Sequence, residues 1–205
     1  MFFKNKAPRV AFLISGRGSN MMAILRAIKG KQLKANPVLV FSNKSKAAGL
    51  QRAHDFGVKT ETFSPKSFAS KKDYEERLVA LLKENDVEWV ICAGYMRILG
   101  KPMLAAFKHR IVNIHPSLLP SFPGLDAQKQ AVEAGVKVSG CTIHLVDEGV
   151  DTGPIILQKA VAVDPEDTDE SLAKKIIKIE HDSYWRALKL VFKGFTVRNK
   201  TVVFK

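Results

Sequence analysis

Val10-Ala-Phe-Leu-Ile-Ser-Gly-Arg-Gly-Ser-Asn20, continuing as Met-Met-Ala-Ile-Leu-Arg-Ala-Ile28, is the stretch on which the fold turns. Five apolar residues in a row, bounded by loop residues, read as a parallel strand buried on both faces. Ser15 to Asn20 then supply a glycine-containing turn, and Met21 to Ile28 repeat at helical spacing. Strand, glycine turn and helix in that order form a phosphate cradle, because glycines let the backbone approach and helix-start amides point at the anion. The signal is moderate: the turn is neither a Walker loop nor a complete GxGxxG, and an ordinary βα turn explains it equally well. Ser19 or Asn20 is expected to cap the helix.

Working outward, the same alternation continues. Strands are predicted at Pro37 to Ser42, Val58 to Phe63 and Val87 to Ala93, with helices at Lys46 to Phe56, Lys71 to Asn85 and Lys101 to Phe107. Tyr74, Leu78, Leu81 and Leu82 share one face of the second of these helices and read as core. Further on come a helix over Asp126 to Ala134, a long helix over Glu170 to Phe192, and a terminal hairpin of Phe195 to Val197 with Thr201 to Phe204. The pattern predicts an α/β protein with a mostly parallel central sheet and helices on both faces, Rossmann-like, as a single domain over residues 1–205. It has a phosphate-binding half over about 8–100 and a second half over about 101–205.

The chain of 205 residues is long enough for one full core, and its 46% hydrophobic and 26% charged content is that of a globular protein. The net charge of +13 favours acidic partners such as phosphates or polyglutamates. The lysines are dispersed and form no basic stripe with interleaved aromatics, so no nucleic-acid partner is expected. Cys92 and Cys141 each sit in an apolar strand and read as buried free thiols, which suits a reducing, cytoplasmic setting. The five histidines have no metal-ligand spacing, and no metal is expected. MFFKNKAPRV is not a signal peptide, and no apolar run approaches membrane-spanning length.

Chemistry concentrates in two stretches. Ile111 to Gly124 reads IVNIHPSLLPSFPG. Asn113 and His115 are two apart on a strand and therefore share a face. Pro116, Pro120 and Pro123 then stop the strand and stiffen the loop, and at least one X-Pro bond there is expected to be cis. An amide and an imidazole held rigidly at a strand end suit donation to a developing oxyanion, although a capped strand end with a satisfied histidine explains the pair alone as well. Gly140 to Gln158 reads GCTIHLVDEGVDTGPIILQ. Here a strand through Thr142, His144 and Val146 leads into an acidic loop with Asp147, Glu148 and Asp151, and then into a strand over Pro154 to Gln158. A carboxylate from this loop could keep His115 charged or relay a proton through water. Gly94 to Gly100 (GYMRILG) follows a predicted parallel strand, where ligands of open sheets sit. It offers an apolar wall and Arg97.

NIHPSLLPSFPG together with VDEGVDTGPIILQ resembles the folate-dependent formyltransferases, and the resemblance extends from about Val10 to Ala187. It implies transfer of a formyl group from 10-formyltetrahydrofolate to the glycyl amine of 5'-phosphoribosylglycinamide (GAR), in purine biosynthesis, without a metal. The residues it implies are Asn113, His115 and Asp151 for catalysis, and Gly18, Ser19, Asn20 and Glu180 for GAR. For folate it implies Lys71, Met96, Arg97, Ile98, Leu99, Asn113, Val146 and Glu148, and it points to Leu119–Pro120 as the cis bond. The chain departs from relatives at Ile177, where many carry glutamine, and at Asp126-Ala127-Gln128, where histidines are common.

Three other readings share parts of the pattern. A methionyl-tRNA formyltransferase would add a C-terminal RNA-binding domain, and a formyltetrahydrofolate hydrolase an N-terminal regulatory one; neither is expected here. A non-catalytic anion-binding module would need the glycine turn but not the Asn113, His115 and Asp151 set. The expected partners are small molecules, with no nucleic acid and no membrane, and the oligomeric state is open between monomer and homodimer.

Overall fold

The structure is a computed structural model, described here for residues 6–205. Met1 to Asn5, part of the stretch read above as no signal peptide, lie outside the described residues. The strands are β1 (Arg9–Ile14), β2 (Asn36–Ser42), β3 (Thr60–Thr62), β4 (Trp89–Cys92), β5 (Ile111–His115), β6 (Val138–Leu145), β7 (Ile155–Ala162), β8 (Phe195–Arg198) and β9 (Thr201–Phe204). The helices are α1 (Ser19–Lys29), α2 (Ala48–Asp55), α3 (Lys71–Glu84), α4 (Lys101–Ala106), α5 (Ala127–Glu133) and α6 (Asp169–Val191). The α/β expectation holds. The chain divides into two compact units, one ending at Ile111 and the other spanning Val112–Lys205.

In the first unit the strand order is β3-β2-β1-β4, and the pairs are parallel. β1 has a neighbour on each edge, and Val10 to Ile14 are completely buried. That explains the unbroken apolar run, since no face of this strand meets water. β3 is shorter than the predicted Val58 to Phe63, because the Val58 N–H turns back to the Ala53 carbonyl and closes the end of α2 instead. Ser70 caps α3 by accepting from the Asp73 N–H. Tyr74, Leu78, Leu81 and Leu82 are buried as expected, each leucine contributing roughly 1.5–3 kcal/mol on burial. Phe41, Phe63 and Phe68 gather around the Tyr74 ring.

The capping expectation for α1 fails. Gly18, not Ser19 or Asn20, occupies the N-cap, with φ 68° and ψ 32° and no side-chain cap bond. Ser19 is already helical, because the chain turns in through a left-handed residue that glycine adopts without steric cost.

In the second unit the order is β5-β6-β7-β9-β8. β5, β6 and β7 are antiparallel neighbours, β8 and β9 form the terminal hairpin, and β7 meets β9 in parallel at one register pair. The hairpin turns through Asn199 and Lys200, both at positive φ, which matches strand twist in a two-residue turn. β6 starts earlier than its alternating core suggested, and β7 runs beyond Gln158, because Val138 pairs with Ala162. α6 opens on a reciprocal capping box between Thr168 and Ser171. It buries one stripe, from Leu172 and Ile176 to Tyr184, Leu188 and Val191, and the Tyr184 hydroxyl donates to the Val112 carbonyl at 3.0 Å. Leu119–Pro120 is cis.

Cys92 and Cys141 form no disulfide and are buried, and burial pushes both thiols up to about 12. Among the described residues no helix is long and apolar enough to cross a membrane.

Candidate active site

Three residues expected to act together do meet, all in the second unit. β5 places Asn113 and His115 two residues apart, and β6 sets His144 opposite Asn113 and Thr142 opposite His115. The acidic loop between β6 and β7 brings Asp151 to this face. Asp151 Oδ2 lies 3.2 Å from His115 Nδ1, and the other His115 nitrogen, Nε2, lies 2.7 Å from the Phe122 carbonyl. A carbonyl only accepts, so Nε2 carries a proton. Nδ1 faces the Asp151 carboxylate at ion-pair distance.

His144 was not singled out from sequence as a site residue. Its Nδ1–H donates to the Leu145 carbonyl at 2.9 Å, leaving Nε2 to accept from Asn113 Nδ2 at 3.3 Å. Asn113 retains its second amide proton for another acceptor. His144 Nε2 also lies 3.6 Å from Asp151 Oδ1, too far for a hydrogen bond. Burial opposes ionisation of Asp151, yet the Gly124 N–H and the facing His115 together hold its carboxyl below the usual value. Its backbone is left-handed, at φ 55°, as is that of Phe122 at φ 54°. Such conformations are uncommon outside glycine and cluster at functional sites. The Gly124 N–H fastens the two loops together by donating to Asp151 Oδ2 at 2.9 Å.

The proline loop is secured by two polar groups, Thr142 buried and Gln158 exposed, that its own sequence does not announce. Thr142 Oγ1 donates to the Ser117 carbonyl at 2.7 Å and accepts from the Leu119 N–H at 3.0 Å. Gln158 Nε2 donates to the Leu119 carbonyl at 2.8 Å. The alternation Thr142, His144 was the available signal, since it puts both on the face that β5 turns toward the loop.

Other expected site residues are placed as follows. Val146 is half-buried and Glu148 exposed on the Asp151 loop. Glu180 is buried in α6, only 5% exposed, and adds its charge to the burial that suppresses Cys141 ionisation. In the first unit, Gly18, Ser19 and Asn20 lie at the carboxyl end of β1 where α1 begins, and the first intrahelical bond runs from the Met22 N–H to the Gly18 carbonyl. The N–H groups of the opening turn therefore precede the helix ladder. Gly49, in the first turn of α2, donates its N–H to the Gly16 carbonyl at 3.0 Å and packs beneath this turn. Lys71 opens α3, its Nζ 3.8 Å from Glu75.

The loop after β4 differs from the simple apolar wall. Met96 and Ile98 are 66% and 61% exposed and Arg97 is exposed, but Leu99 is buried, so its side chain belongs to the core and only its backbone is available. The Arg97 guanidinium lies over the Tyr74 ring, 5.5 Å from its centroid.

Known proteins share this chain's sequence and fold. The formyl transferase family matches residues 8–188. Phosphoribosylglycinamide formyltransferase of Bacillus subtilis is 44% identical over 181 residues, covering 88% of this chain and 93% of that protein. The trifunctional purine biosynthetic protein adenosine-3 of Drosophila melanogaster is 49% identical over 188 residues, 91% of this chain, and the matched region is 14% of that much longer protein. Among solved structures, glycinamide ribonucleotide transformylase 1 from Symbiobacterium toebii superposes with a TM-score of 0.96 at 43% identity, covering 100% of this chain and 97% of that one. A shared family model, whole-length relatives and a shared fold leave one conclusion: the chain belongs to the formyl transferase family.

Proposed function

We propose that this protein transfers a formyl group from 10-formyltetrahydrofolate to the glycyl amine of GAR, giving formyl-GAR and tetrahydrofolate. The observation that carries the proposal is the His115 imidazole paired with Asp151 beside the Asn113 amide. The names of the full-length relatives support the choice of acceptor.

In this reading the amine nitrogen attacks the formyl carbon. The new C–N bond forms, the carbonyl oxygen becomes an oxyanion, and the bond to N10 of the folate then breaks. One amine proton is lost and one ends on N10. The second N–H of Asn113 donates to the oxyanion, and the His115 Nε2–H, now given to the Phe122 carbonyl, is the donor the oxyanion competes for. Asp151 faces the ring and, ionised at neutral pH, accepts the amine proton through water. The Gly18-Ser19-Asn20 turn takes the GAR phosphate and buried Glu180 the ribose hydroxyls. Lys71, Met96, Arg97, Ile98 and the Leu99 backbone receive the folate, with Val146 and Glu148 contributing from the Asp151 loop. Two reduced, buried cysteines suit a cytosolic enzyme.

The test follows the absorbance of the deformylated folate, with 10-formyl-5,8-dideazafolate as donor. Product formation that requires GAR supports the reading. Release of formate at the same rate without GAR would make the protein a hydrolase and overturn it.

A further inference from the structure

The segment Gly94–Gly100 is fastened at both ends by buried polar side chains that belong to neither expected substrate site. At its start, the Ser15 N–H donates to the Gly94 carbonyl at 2.9 Å. The Ser15 hydroxyl gives its one proton to Asn43 Oδ1 at 2.6 Å, which leaves its lone pairs for the Met96 N–H at 2.9 Å. At its end, Glu75 Oε1 accepts from the Gly100 N–H at 2.8 Å. Ser15 is 6% exposed and Glu75 2%. Between the clamps Tyr95 and Leu99 are buried, and the Tyr95 hydroxyl meets that of Tyr74 at 2.6 Å. Met96, Arg97 and Ile98 face solvent, as does Gly94 at the start of the segment.

Glu75 is an expensive way to hold a loop. Its carboxylate is buried with Lys71 Nζ at 3.8 Å, and its Oε2 has no hydrogen-bond partner. A buried ion so incompletely paired is poor value for stability, since an apolar residue of similar size commonly does as well or better. Its oxygen also lies 2.7 Å from where a Cβ on residue 100 would be, so the close approach requires glycine there. What the carboxylate does secure is the position of one backbone amide, just past the exposed tip.

We propose that Ser15 and Glu75 are positioning residues that hold the Met96–Ile98 tip, and with it the backbone of Arg97 to Leu99, in the conformation that receives the folate. The proposal rests on the assignment of this loop to folate. A loop ordered beforehand loses less conformational freedom on binding, so its release appears as weaker donor binding.

The experiment has two readouts on wild type, Ser15→Ala, Glu75→Ala and Glu75→Gln. Amide hydrogen exchange in the substrate-free protein reads the clamps directly. Met96 and Gly100 should be protected in wild type, with Met96 released in Ser15→Ala and Gly100 in Glu75→Ala. Steady-state kinetics reads the consequence: Glu75→Ala should raise KM for the folate by on the order of tenfold with KM for GAR nearly unchanged, while Glu75→Gln, which keeps an acceptor oxygen, stays close to wild type. Fast exchange of both amides in wild type overturns the clamp whatever the substrate proves to be. Protected amides with an unchanged folate KM, or with both KM values rising equally, overturn the positioning role. An inactive wild-type protein with protected amides would instead refute the formyl-transfer reading and with it this role.

Discussion

The Asp151 carboxylate and the His115 imidazole lie 3.2 Å apart, with the Phe122 carbonyl closing the far side of the ring. The pair is charge-matched only when His115 is an imidazolium and Asp151 a carboxylate. Replacing Asp151 by Asn keeps the shape and tolerates the left-handed backbone, since asparagine adopts that region more readily than most residues. It removes the charge that faces the ring. Asp151→Asn should therefore lower kcat by on the order of a hundredfold or more with a melting temperature within a few degrees of wild type. Circular dichroism melts and turnover on the same preparation check it; wild-type kcat would contradict the pairing's role.

Asn113→Ala and His115→Ala each remove an oxyanion donor and should each cost on the order of a hundredfold in kcat. If these residues merely brace the strand end, the variants melt lower but turn over normally in their folded fraction. His144→Ala acts one step away. It leaves the Asn113 amide without the acceptor that orients it, so a smaller loss is expected, about tenfold, largely in kcat. A loss as large as that of Asn113→Ala would promote His144 from orienting group to direct participant.

The lowered pKa of Asp151 fixes a pH dependence. A carboxyl whose folded value lies below its unfolded one binds its proton more weakly when folded. It contributes stability that is present above the ordinary Asp value of about 3.9 and is lost as pH falls through the lower folded value. Acid melts of wild type should therefore fall more steeply below about pH 4 than those of Asp151→Asn, which has no such proton to take up. Parallel curves for the two proteins would contradict this.

Much of the fold was legible because the decisive features are local. An apolar run without a polar residue can only be β1, flanked on both edges, and prolines placed so densely leave few conformations after His115. The alternation in β5 put Asn113 and His115 on one face without reference to anything distant. What escaped depends on partners far apart in sequence. His144 becomes part of the site only through its register with Asn113, and Thr142 and Gln158 only through the carbonyls of a loop around twenty to forty residues away. Glu75 drew no notice in the sequence, and its contact with Gly100 appears only in the fold. The cap of α1 was misread for a subtler reason: serine and asparagine are good caps, but a glycine one residue earlier entered the left-handed region first.

The last prediction concerns the packing beneath the turn proposed to hold phosphate. A Cβ added to Gly49 would lie 2.5 Å from Ile14 Cδ1 and 2.9 Å from the Gly16 carbonyl oxygen, both inside normal contact. Ile14 is wholly buried at the end of β1, so it cannot swing away freely, and the Gly16 carbonyl is tied to the Gly49 N–H. The turn must therefore shift outward. Overpacking of this kind costs roughly 1–3 kcal/mol in stability. The functional effect should fall on one substrate: Gly49→Ala is expected to raise KM for GAR several-fold while the folate KM stays near wild type. Ser19→Ala combined with Asn20→Ala should give the same asymmetry from the ligand side. Titrating both substrates against each variant decides it. If Gly49→Ala raises the two KM values equally, the turn is not the phosphate site.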